Sequence, residues 1–186
     1  STLMNILGLL VHDQTHLGGY RHKFGDLLVN LFCAYPLVIL TVEGYAQVHL
    51  AHHRDYFGKN DPDHLRKTGP DWTFPKSRGQ LLKLFLKDLF ALNLIATMRG
   101  KRVEGGQVKF QRRGINPKWV RPVYLLAIIA VLIATGTWPL ALLYWLLPLL
   151  TIMQAIVRWG AVCEHEYNNE NGFVTETTPL IKLKWW

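Results

Sequence analysis

Cysteine is almost missing from this chain of 186 residues: Cys33 and Cys163 stand alone, with no C-x-x-C anywhere. That excludes a disulfide framework and a thiolate metal site, and both thiols are expected to be small buried apolar residues. Charge is missing from one long window. None of the 21 Lys and Arg and none of the 13 Asp and Glu falls within residues 122–157. A soluble core helix rarely runs that far without a charge, so an ordinary soluble domain is excluded and a membrane protein is indicated. Acidic residues are outnumbered, giving a net charge of +8, but the basic residues lie in flanks and loops and no motif reads or stacks bases. Nucleic acid is therefore excluded as a partner, and anionic lipid headgroups account for the basic excess more simply. No basic segment precedes Leu3–Val11, which excludes a signal peptide. That stretch reads as the aqueous end of a longer span, and Lys182–Trp186 stops without a polar tail, so both ends read as cut.

What is present is histidine, in two clusters. His12-Asp13-Gln14-Thr15-His16 places imidazoles four apart, and His49-Leu50-Ala51-His52-His53 places three within one helical turn. Residues three or four apart share a helix face, so each cluster projects its rings side by side. Imidazole is the commonest metal ligand and suits Fe, Zn and Cu, so His12, His16, His49, His52 and His53 are candidate ligands. His165, in Glu164-His165-Glu166, returns at the same membrane depth and is a sixth candidate. Asp13, inside the first cluster, and Asp55, Asp61 and Asp63 nearby are candidates to orient a ring N–H from behind, although the last three read more plainly as loop charges or turn formers. His22 and His64 belong to neither cluster and read as surface residues. A zinc hydrolase would carry H-E-x-x-H with a glutamate base; here that position is Asp13, and the second cluster has no place in such a scheme.

Along the chain, residues 1–11 end a transmembrane helix, and 12–53 hold both clusters with Leu27–Val42 between them. That apolar run, broken by Pro36, is short for a crossing and reads as a shallow or re-entrant helix. Residues 54–118 form an aqueous loop with Asn60-Asp61-Pro62-Asp63 and Gly69-Pro70-Asp71 turns, then an amphipathic surface helix over Leu81–Met98 and a basic loop. Residues 119–158 form a transmembrane hairpin, Trp119–Gly136 and Trp138–Val157, turning at Gly136-Thr137-Trp138-Pro139. Lys118, Arg121 and Arg158 put its outer ends in the cytoplasm, and Arg158 and Glu164 are placed to pair. Residues 159–186 are a cytoplasmic segment.

The two clusters, with 32 residues between them, the Asn60–Asp63 turn after the second and a hairpin followed by Glu164-His165, resemble the membrane fatty acid desaturase superfamily, the histidine-box di-iron enzymes. The resemblance implies one all-α integral membrane domain over 1–186: a transmembrane hairpin, interfacial helices and a cytoplasmic histidine-rich cap, part of a four-helix membrane fold. It implies two non-haem iron ions held by His12, His16, His49, His52, His53 and His165. It further implies O2 as co-substrate, a membrane lipid or acyl chain as substrate, and electrons from a ferredoxin, cytochrome b5 or similar donor. The reaction implied is insertion of a double bond into a fatty acyl chain. Related hydroxylases and ketolases acting on carotenoids, alkanes or sphingolipids share the box logic, and a non-catalytic subunit that keeps only the fold is the remaining alternative. The third H-x-x-H-H box of the family is absent before Trp186. The economical expectation is an internal piece of a longer polypeptide whose other parts supply that box.

Overall fold

Nothing between Thr2 and Thr15 breaks a helix, and this stretch forms α1 (Thr2–Thr15). The computed structural model describes residues 2–38, 40–67, 69–99 and 116–164, apart from the side chains of 96–99 and 164. Leu17, at φ 58°, ends α1 in the left-handed region, and Gly18 N–H bonds back to Asp13 O at 2.8 Å. The chain then folds back through Gln14, wholly buried, whose Oε1 accepts from Tyr20 N–H and whose Nε2 donates to Asp26 Oδ1 at 2.7 Å. Gly25 is required here, since a Cβ would meet the Tyr20 side chain at 2.3 Å.

The apolar run after this turn is α2 (Phe24–Val29), which loosens into a π-helical turn at Asn30–Ala34 and a 3-10 turn at Tyr35–Leu37. The loosening precedes Pro36, which has no N–H to give a regular helix. Helix α3 (Val42–Arg54) leaves at 91° to this segment, N-capped by Thr41, whose Oγ accepts from Gly44 N–H. The bend is held by Asn30, fully buried: it accepts from Val42 N–H and donates to Glu43 Oε2, each at 2.8 Å. Val11, Val29, Cys33, Ala34 and Val42 form the core between α1, the π-turn and α3.

Asp61 caps α4 (Pro62–Arg66), and Ser77 with Gln80 forms a capping box for α5 (Arg78–Leu89). The expected single helix over Leu81–Met98 is two: Ala91, at φ 57°, breaks the chain between α5 and α6 (Leu92–Arg99). The first arm of the expected hairpin is likewise shorter than Trp119–Gly136. Helix α7 (Val120–Ala134) has 15 residues, because Gly136 turns at φ 67° and Thr135 Oγ bonds Val131 O at 2.8 Å. The second arm is longer than expected. Helix α8 (Trp138–Cys163) has 26 residues and is long and apolar enough to cross a membrane; α7 is apolar but short of that length. A π-turn at Leu142–Leu146 precedes Pro148 inside it. Leu149 and Met153 of α8 pack on Met4 and Leu37, and Trp145 Nε1 donates to Pro36 O at 2.7 Å. All elements among the described residues are helical.

Arg158 pairs with Asp88: Nε reaches Asp88 Oδ2 at 2.5 Å, and both side chains are buried; the side chain of Glu164, its expected partner, lies outside the described residues. Cys33 is buried as expected, but Cys163 is exposed, because it falls on the outer face of the last turn of α8.

Candidate metal centre

The two boxes close α1 and α3 at ends that lie against each other, so their rings meet. His16 Nε2 is 2.9 Å from His49 Nε2, and His49 Nε2 is 3.0 Å from His53 Nε2. The ring of His12 lies 4.6 Å from that of His49, centroid to centroid, and the ring of His52 lies 5.7 Å from that of His53. Ligand nitrogens of His12, His16 and His49 all fall within 4.8 Å of one another. Nitrogens bound at about 2.0–2.1 Å to a common ion stand roughly 3.0–3.5 Å apart; the His16–His49 and His49–His53 separations are close to that spacing, and the group with His12 could close on a metal ion. His165 lies outside the described residues.

The electrostatics keep the rings ready to bind. Burial, reinforced by the neighbouring imidazoles, pushes His49 down to about 3. Partial burial and the rings of His16, His52 and His12 lower His53, against a weaker opposing pull from Asp61. A metal takes the neutral imidazole, so these shifts remove the proton that would compete with it.

Behind the rings stands Asp61. It is wholly buried, and its Oδ2 accepts from His52 Nδ1 and Phe57 N–H at 2.8 and 2.9 Å. Its Oδ1 accepts from the N–H groups of Asp63 and His64 at 2.9 and 3.1 Å. Burial alone would raise its carboxyl, but the bonds from His52, His64 and Phe57 outweigh burial and hold it below the usual range. With Nδ1–H given to a carboxylate, His52 keeps its Nε2 lone pair for a metal. Reading Asp61 as a turn former is therefore half the account: it caps α4 and also orients a box histidine. Asp13 Oδ1 lies 3.2 Å from His12 Nδ1 in an exposed pair. Asp55 pairs with Arg54, and Asp63 with Lys67.

Tyr45, one turn before His49 on α3, stacks on it with centroids 5.1 Å apart and planes 17° apart, and also meets the His12 ring at 6.3 Å. Nothing in the sequence singled it out. His22 is exposed, whereas His64 is half-buried with its ring 4.9 Å from Phe57.

The family model described as fatty acid desaturase matches residues 1–186, the whole chain. The chain belongs to the fatty acid desaturase family. No curated protein and no solved structure matches it. Membership gives the convergent histidines a chemical context: fatty acid desaturases are membrane-associated oxidoreductases of lipid metabolism that use iron, and this chain brings imidazoles from both boxes to one place.

Proposed function

We propose that this protein is an O2-dependent di-iron oxidoreductase that places a double bond in a fatty acyl chain of a membrane lipid. The observation that supports this most is the meeting of His12 and His16 with His49 and His53, which lie on separate elements brought together where α3 leaves the Phe24–Leu37 segment at 91°. Iron, when bound, supplies what no side chain can, an oxidant strong enough for an unactivated C–H bond. The protein's own part is positional. His12, His16 and His49 would hold one ion; His52 and His53, with His165, would contribute to the set for a second. Asp61 fixes the tautomer and plane of His52, and Asp13 does the same for His12 from the exposed side.

The acyl reading is supported by a cleft of about 380 Å3 beside His16. Its walls include Leu10, Leu28, Val29 and Phe32, an apolar lining suited to methylene groups. A ferredoxin, cytochrome b5 or similar protein delivers two electrons, and the basic loops put the boxes on the cytoplasmic side. The test is lipid mass spectrometry after expression of the full-length protein, with His52→Ala as control. A new double bond that disappears in the variant is the expected result. A new hydroxyl group would reassign the protein to the related hydroxylases, and unchanged lipids with no iron would leave a structural subunit. Metal analysis separates the remaining rival: about two irons per chain agrees with the proposal, while one tightly held zinc overturns it.

A further inference from the structure

Helix α5 has two apolar faces, and only one is covered. Leu84 and Asp88 are buried toward α8, where Arg158 donates to Asp88 through Nε at 2.5 Å and Nη2 at 3.2 Å and lies 4.6 Å over the Trp72 ring. At about 100° per residue, Leu82, Leu86 and Phe90 fall roughly 120–160° away from Asp88, on the opposite face. They are 59%, 40% and 66% exposed. The solvated face of a helix is ordinarily polar, so water is a poor covering for this one. Exposed Arg78 and Lys83 border the stripe on either side.

The depth of the stripe follows from α8. Residues 138–157 carry no charge, and Arg158 is the first after them. Twenty residues at about 1.5 Å each span ~30 Å, the thickness of the hydrocarbon layer, so Arg158 marks the boundary where α8 leaves it. Asp88, bonded to Arg158, lies at the same depth. We propose that α5 is seated in the headgroup layer of the leaflet where α8 exits. Leu82, Leu86 and Phe90 reach the upper acyl region, Arg78 and Lys83 meet anionic phosphates, and the Asp88–Arg158 pair sets the depth. The inference rests on α8 crossing the bilayer, as the proposed function does.

The test uses the full-length protein with Cys33→Ala and Cys163→Ser, carrying one environment-sensitive fluorophore on a cysteine at Leu86, at Leu147 within α8, or at Lys59 in the aqueous loop. It is reconstituted in nanodiscs of phosphatidylcholine and phosphatidylglycerol. The label at 86 is expected to emit to the blue of the label at 59, to be quenched by lipids brominated near the headgroup, and to be several-fold less sensitive to iodide. If 86 behaves like 59 while 147 is quenched by deeply brominated lipid, the seating of α5 is overturned and the span stands. If 147 is itself open to iodide, the membrane reading falls and takes this inference with it. Asp88→Asn is expected to raise iodide quenching at 86 toward the level at 59, and the charge exchange Asp88→Arg with Arg158→Asp to restore protection; no change in Asp88→Asn overturns the depth-setting role. In discs of phosphatidylcholine alone the shallow quenching is expected to weaken, and equal quenching would overturn the assignment of Arg78 and Lys83 to anionic phosphates.

Discussion

Asp61 gathers four donors on two oxygens, and His52 is the one whose loss would matter to a metal. Asp61→Asn removes the charge that holds the His52 Nδ1–H in place, so metal affinity is expected to fall about 10–100-fold. Competition of Co2+ against a chelator measures it, and unchanged affinity would reject the orienting role. Tyr45 stacks on the neighbouring ring of His49. Tyr45→Phe keeps that face and should bind metal as the native protein does, whereas Tyr45→Leu should weaken binding roughly two- to tenfold, the worth of one aromatic pair. A matching Co2+ absorption spectrum in the leucine variant would count against it. The box histidines were legible because ligand spacing and helix period coincide at positions 12 and 16 and at 49, 52 and 53. Asp61 was legible only as one of four carboxylates near the boxes, because it reaches His52 only once Asp55–Asn60 turns the chain back, and a carboxylate in an N-D-P-D turn is already explained by capping.

At the level of elements, the angle between the Phe24–Leu37 segment and α3 decides whether the second box faces the first. Asn30 fixes that angle with one acceptor and one donor, both satisfied and both buried at its end. Asn30→Leu leaves Val42 N–H buried without an acceptor, at a cost of about 1–3 kcal/mol. The expected outcome is a melting point lower by several degrees together with weaker metal binding, since α3 carries His49, His52 and His53. Loss of stability without loss of metal would mean that the bend is structural only. The break at Pro36 and the turn at Gly136 announced themselves by residue type. Two features did not. Ala91 adopts a positive φ in a stretch with no Gly, Pro or Asn at that position to suggest it. The Asp88–Arg158 pair joins residues 70 apart, and by residue type alone Asp88 reads, with Lys83 and Lys87, as a solvated charge. Periodicity reports which residues share a face, and tertiary contact decides which face is covered.

For the whole molecule, the cluster of neutral rings makes acid a common opponent of folding and of metal binding. An unfolded histidine takes up a proton near pH 6.5, whereas folded His49 resists until about 3, and His53 is shifted in the same direction. Between those values the unfolded chain binds more protons than the folded one, so stability falls as pH falls. Above about 6.5 both states are neutral at these sites and the slope vanishes. Asp61 adds a second loss of the same sign at lower pH: its folded carboxyl stays ionised below the unfolded value near 3.8, so stability present above that value is lost as pH drops through the folded one. Metal-stripped protein in detergent should therefore melt at a constant temperature from pH 8 to 7 and progressively lower from 6.5 to 4.5. His49→Gln, which cannot titrate, should flatten that slope while abolishing the metal-induced rise in melting temperature. A melting point that held steady or rose between pH 6.5 and 4.5 would mean that the rings are not packed together as neutral imidazoles, and the metal centre would lose its electrostatic basis.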